Sequence, residues 1–179
     1  MPKKCKFNNM IRSLTLLGLD PGLRHTGWGV IAQTGNRLSF VAAGRISPDP
    51  DLPMASRLRA LAEELGDVVR KYRPDESAIE ETFVNKNAAS ALKLGQARGV
   101  AMLTLAQRGL EVSEYAPNRI KQSVTGYGHA DKTQIQVMLS MLMPGMGTLP
   151  ADAADALAVA ITHAHHRQSI LNMAKAAQA

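Results

Sequence analysis

The sequence predicts a mixed α/β sheet of five strands, covered by helices on both faces. Two observations carry that expectation. Leu14 to Asp20 (LTLLGLD) is an almost unbroken apolar run, the pattern of a strand buried on both sides. Behind two further strand-like segments, stretches with helical spacing alternate with short strand-like ones, which is the order of an α/β layer structure.

The elements follow in turn. Gly22 sits where a turn would follow the first strand. Thr26–Gln33 and Leu38–Ile46 read as strands joined at Thr34-Gly35-Asn36, so the first three strands form a meander. Pro53 opens a helix in which Met54, Leu58, Leu61, Leu65, Val68 and Tyr72 recur every three or four residues, and Pro74 ends it. A short strand, Ser77–Glu81, precedes a long helix from about Asn87 to Gln107. Leu110–Tyr115 is the fifth strand, and Pro117 starts a short helix containing Lys121. Asp131 and Gln134 have capping-box spacing for a helix reaching Met143, and a last helix runs from about Ala151 to His166. Residues 1–12 read as a flexible basic tail, 13–167 as one domain, and 168–179 as a flexible C-terminal tail.

A chain of 179 residues with 45% hydrophobic and 20% charged residues has the composition of one folded domain rather than of a disordered chain. No run approaches a membrane span, no apolar stretch follows the opening lysines, and Cys5 is the only cysteine. The expectation is a cytoplasmic protein with no disulfide framework and no cysteine-based zinc site. Of the net charge of +6, four positive charges lie in residues 1–12. A second excess lies between Phe83 and Ile135, where seven basic residues face three acids, as on a surface that binds a polyanion.

The acidic residues are more specific. Asp20 ends the most buried strand, where open α/β sheets gather their reactive groups, although capping the turn at Gly22 would also suit it. Glu80 and Glu81 close another strand, and the alternation of side chains lets only one of them join Asp20; the pattern does not choose between them. Asp152 and Asp155 share one face of the last helix. Acids near a helix N-terminus are favoured by about 0.3–1 kcal/mol each, which alone would explain such a pair. But PADAADALAVAI is otherwise small and apolar, so the helix is expected to pack into the body, where an unpaired carboxylate is costly. No Lys or Arg lies between Lys132 and Arg167 to serve as a local partner. Divalent cations would satisfy all four acids, and an oxygen-only donor set suits Mg²⁺ or Mn²⁺ rather than zinc. Two such ions can clamp the attacking and leaving oxygens of a phosphodiester.

The segments LGLDPGLRHTGWGVI, AIEETFVNKNAASALKLGQARGVA, IKQSVTGYGHADKTQIQ and ADAADALAVAITH, in that order and spacing, resemble the RuvC-type Holliday junction resolvases over about Leu14 to His166. The resemblance implies a ribonuclease H-like fold and a homodimer that nicks two opposed strands of a four-way DNA junction symmetrically, using Mg²⁺ (two per site, Mn²⁺ able to substitute). It also implies cooperation with the RuvA–RuvB branch-migration complex. It maps the catalytic acids onto Asp20, Glu80, Asp152 and Asp155, so choosing Glu80 over Glu81. Phe83 looks like the family's base-stacking aromatic, and Lys121 and Lys132 like its lysines near the scissile phosphate, with Lys132 also catalytic; Lys86 is a further DNA contact. Asp131 reads as a helix cap.

Gly95 and Gly99 permit another backbone to approach their helix, either a second copy or the protein's own sheet. His163, His165 and His166 read as cationic residues at a helix C-terminus rather than as metal ligands. The alternatives are a related RNA-processing nuclease of the same fold and a non-catalytic junction-binding protein. An ATPase of the actin and hexokinase class also carries an Asp-x-Gly turn, but needs two domains closing on a nucleotide.

Overall fold

A computed structural model describes residues 12–82 and 87–176, with the side chains of the last helix described as far as Arg167. β1 (Leu14–Asp20), β2 (Thr26–Thr34) and β3 (Arg37–Ile46) form an antiparallel meander. β4 (Glu76–Glu80) lies parallel to β1 on its other side, and β5 (Val112–Tyr115) lies parallel to β4, giving the order β3-β2-β1-β4-β5. β1 is central, which is why it carries no alternating polar pattern: Leu16, Leu17 and Leu19 are all fully buried.

Helices cover both faces, as expected. α1 (Met54–Tyr72) and α2 (Ala88–Ala106) pack on one side, where Leu17, Leu19, Val30 and Ile79 meet Leu61, Leu65, Ala97 and Leu105. α3 (Pro117–Thr125), α4 (Lys132–Leu142) and α5 (Ala151–Ala176) pack on the other, around Leu16, Ile31, Ala78, Leu139 and Leu157. α1 ends on Arg73, a left-handed residue whose N–H bonds the Val69 carbonyl, just before Pro74 forbids continuation. The capping box is present as expected: Gln134 N–H donates to Asp131, and Asp131 N–H donates to the Gln134 side chain.

Two boundaries differ from the sequence reading. β4 spans Glu76–Glu80 rather than Ser77–Glu81, because Glu76 already pairs with Leu16. α5 does not end near His166 but continues to Ala176, through part of the segment expected to be a flexible tail. Residues Ser169–Ala176 contain no glycine or proline, and nothing in their composition stops a helix that is already nucleated.

The feature that fixes the site is how close α5 comes to the sheet. Gly18 of β1 and Gly27 and Gly29 of β2 face it, and a side chain at any of the three would run into the α5 backbone. A Cβ at Gly29 would lie 2.8 Å from the Leu157 Cα, and one at Gly18 would lie 2.5 Å from the Ala160 N. Ala153, Ala156 and Ala160 complete the fit from the helix side and are fully buried. The small, apolar character of PADAADALAVAI is therefore that of a helix lying directly on glycines.

Candidate active site at the strand ends

β1 and β4 run parallel and end on Asp20 and Glu80. Leu19 pairs with Ile79, so the two carboxylates emerge from adjacent strands onto the face covered by α5. The backbone of Asp152 lies against Gly27, which is the partner of Asp20 across the β1–β2 ladder, and this brings the first turns of α5 to the same place. Asp20, Glu80, Asp152 and Asp155 are each half-buried there.

Their electrostatics report mutual proximity. Burial pushes the Asp20 carboxyl up to about 8, assisted by the charges of Glu80, Asp155 and Asp152 and opposed by Lys132. Burial and the neighbouring Asp155 push Glu80 up to about 7, opposed by Lys121 and Lys132. Asp155 is raised as well, mainly by burial, with Lys132 and Lys121 opposing and Asp152 adding to the shift. Lys121, on α3, and Lys132, at the start of α4, thus both act on Glu80 and Asp155, and Lys132 acts on Asp20 as well. Such crowding of like charge in a half-buried site costs stability, and a cation relieves it.

Sequence neighbours offered the α5 pair no cation, but the fold supplies one: Arg45 of β3 stands 3.7 Å from the Asp152 carboxylate. A β-strand residue more than a hundred positions away is invisible to a local pattern search. Turn capping by Asp20 is not the arrangement seen. The turn is held by Thr26, whose hydroxyl donates to the Gly22 carbonyl at 2.6 Å and accepts from the Gly22 N–H at 3.2 Å.

The donor set is carboxylate oxygen alone, which fits a hard divalent cation. Among the described residues, no three His, Cys, Asp or Glu side chains are drawn together into a closed coordination group. Phe83 and Lys86 lie outside the described residues.

Two further groups escaped the sequence reading. The guanidinium of Arg98 on α2 donates to the Glu80 carbonyl at 3.4 Å and pairs with Glu114 of β5, tying α2 to the end of β4. His163 is not a cation at a helix end. It is buried within α5, 2.9 Å from the Tyr115 hydroxyl through Nδ1 and 3.0 Å from the Glu76 carboxylate through Nε2. Burial lowers its pKa despite that carboxylate, so the ring is neutral: its Nε2–H donates to Glu76 while Nδ1 accepts from Tyr115. Arg167 supplies the charge partner of Glu76 at 2.6 Å.

Residues 16–163 match a family model described as crossover junction endodeoxyribonuclease RuvC. A protein of that description from Afipia carboxidovorans is 58% identical over 166 residues, covering 93% of this chain and 97% of its own length. One from Rhodopseudomonas palustris is 60% identical over 152 residues, covering 85% and 87%. Among solved structures, Thermus thermophilus RuvC in complex with a Holliday junction substrate superposes with a TM-score of 0.81 at 30% identity, over 87% of this chain and 96% of that one. The fold is thus the ribonuclease H-like arrangement of that protein. No helix among the described residues is long and apolar enough to cross a membrane.

Proposed function

The chain belongs to the RuvC family of crossover junction endodeoxyribonucleases, and we propose that it resolves Holliday junctions with divalent cations held by Asp20, Glu80, Asp152 and Asp155. One observation carries the assignment of these residues. Three separate elements deliver four carboxylates to one half-buried place, and burial, assisted by their repulsion, holds Asp20 near a pKa of about 8. Mg²⁺ is the proposed ion, two per site, with Mn²⁺ able to substitute. When bound, such ions supply charge stabilisation at the phosphodiester and a more acidic attacking water.

The chain's own residues divide the remaining tasks. Asp20 and Glu80 hold fixed positions because each ends a strand in the middle of the sheet, and Asp152 and Asp155 because α5 is seated on glycine. Lys121 and Lys132 bring positive charge to the acids, where it would offset charge developing on the phosphoryl oxygens. Phe83 as a base-stacking residue and Lys86 as a backbone contact are proposed from family membership.

A homodimer gives two such sites related by a twofold axis, the symmetry that paired nicks in a four-way junction require. The α2 surface supports it. Leu92 and Leu103 are 66% and 56% exposed, and between them Gly95 and Gly99 have open space where a side chain would be. These glycines therefore do not pack against the protein's own sheet, and α2 is proposed as the helix that meets its copy. Cooperation with a branch-migration complex is proposed on family grounds.

The test is cleavage of a synthetic mobile four-way junction, with and without Mg²⁺, products mapped on both strands. Paired cuts at symmetric positions, lost on chelation, are expected. Cleavage of structured RNA in preference to the junction, or full activity in a strong chelator, would overturn the reading.

A further inference from the structure

On the sheet face opposite α5 lies a cavity of about 320 Å³ that the cluster of acids does not use. Its walls are Leu23 and Arg24 from the turn after β1, Arg57 from α1, and Ser90, Lys93 and Leu94 from the first turns of α2. Three cationic side chains line it and no acid does. Asp49 and Asp51 flank Pro50 at the rim but do not line the cavity, and the Asp49 carboxylate is engaged by the Asp51 N–H at 3.0 Å.

The cations are also uncompensated. Among the described residues, none of Arg24, Arg57 and Lys93 takes part in an ion pair. Arg57 spends one N–H on the Leu23 carbonyl at 3.2 Å, which aligns its guanidinium with the turn, while its Nε is buried with no hydrogen-bond partner. An orphaned guanidinium N–H among like charges is a donor awaiting an acceptor. The side of the cavity formed by α2 is a helix start with no acid in its first turn, which adds partial positive charge. Leu23 and Leu94 make the remaining wall apolar.

We propose that this cavity is a second phosphate subsite, which takes a backbone phosphate of a junction arm close to the phosphodiester being cut. The inference rests on the nuclease reading above. Arg24 is four residues beyond Asp20, so their Cα atoms lie no more than about 14 Å apart, and a strand with one phosphate among the acids can reach the cavity within a few nucleotides. A phosphate held here fixes where the strand runs past Asp20, which sets register without reading bases.

The experiment compares wild type with Arg24→Gln, Lys93→Gln and their double variant, measuring equilibrium binding of a four-way junction over a series of salt concentrations. Arg37→Gln, at the start of β3 and at the far end of the sheet, controls for lost charge. The double variant is expected to bind about tenfold or more weakly than wild type, with the slope of log K against log salt shallower by about 1–2. Arg37→Gln should leave both quantities unchanged. Equal binding by the double variant, or an equal loss in Arg37→Gln, overturns the subsite. A free-phosphate site would show itself as stabilisation of wild type by inorganic phosphate, lost in the double variant while junction binding stays intact, and this also overturns the proposal. Failure of the wild type to prefer four-way DNA over duplex would instead count against the nuclease reading.

Discussion

Asp20 and Glu80 end neighbouring parallel strands one step beyond the Leu19–Ile79 pair, so two carboxylates leave the sheet side by side beneath α5. A sheet end selected for stability alone would not carry like charges there, half-buried, with two aspartates of α5 added to them. The pattern is that of a functional site rather than of a stabilising one, and a cation is proposed to complete it.

Asp20→Asn should therefore separate chemistry from folding. Removing a carboxyl that resists ionisation stabilises the cation-free protein by about 1 kcal/mol, which raises Tm by about 2–4 °C in a chain of this size. Cleavage of the junction should fall by at least two to three orders of magnitude, while junction binding stays within a few-fold. Melting curves, single-turnover cleavage and gel shifts check the three parts. A variant that melts lower and loses DNA binding in step with cutting would place Asp20 in the structural framework.

Burial, together with the crowding of like charge, also sets a pH dependence. Asp20 titrates near 8 and Glu80 near 7 in the folded protein, against 3.8 and 4.5 for the unperturbed groups. Between these limits the folded state holds more protons than the unfolded one, so these acids make stability fall as pH rises from about 4 to about 8. Mg²⁺ requires the ionised carboxylates and should raise Tm more at the alkaline end of that window than at the acid end. Melting with EDTA and with Mg²⁺ across the window tests this. Equal stabilisation by Mg²⁺ at both ends would mean that the ion binds elsewhere.

Much of this was legible in the sequence because it is local. Hydrophobic period and proline punctuation placed β1 and α1, and Asp131-x-x-Gln134 announced the start of α4. Asp152 and Asp155 were visibly out of place on an apolar helix. The rest depends on contacts between distant segments. Arg45 meets Asp152 only because β3 lies beside β2, and Arg98 reaches the Glu80 carbonyl only because α2 returns across β4 and β5. His163 was misread as a helix-end cation for two reasons: α5 continues past it, and its partners, Tyr115 and Glu76, come from two other strands.

The glycines under α5 should tolerate nothing larger. Gly29→Val would drive a branched side chain into the Leu157 backbone, and overpacking of this kind costs about 1–3 kcal/mol. Because α5 carries Asp152 and Asp155, displacement of the helix should reduce cleavage by more than the lost stability explains. Cleavage measured well below Tm, where the variant remains folded, makes the comparison. Retention of wild-type activity by a folded Gly29→Val would show that the seat of α5 does not position the acids.

On α2 the expectation reverses. Gly95→Ala meets nothing within 4 Å in the protomer and should stabilise the protomer's helix by about 1 kcal/mol. Gly99→Glu should leave each protomer folded but place a charge where two helices would meet. Sedimentation or light scattering should then report a monomer, with paired cutting reduced to slow single nicks. A Gly99→Glu protein that remains a dimer would move the interface off α2.

His163 provides a test on the opposite side of neutral pH. Its pKa is lowered in the folded state, so it contributes stability that is lost as pH falls below the unfolded value of about 6.5. This sign is opposite to that of Asp20 and Glu80, and the difference between wild type and His163→Phe isolates it. The variant removes the nearer partner of the Tyr115 hydroxyl and deprives Glu76 of one donor, at a cost of about 1–3 kcal/mol, although His166 Nδ1 still lies 3.4 Å from that hydroxyl and Arg167 still pairs with Glu76. The deficit in Tm should be full near pH 8 and should narrow as the pH falls below about 6.5, because wild type pays there to keep its imidazole neutral. A deficit that widens as the pH falls would mean that the ring is charged inside the fold, with Glu76 overcoming burial.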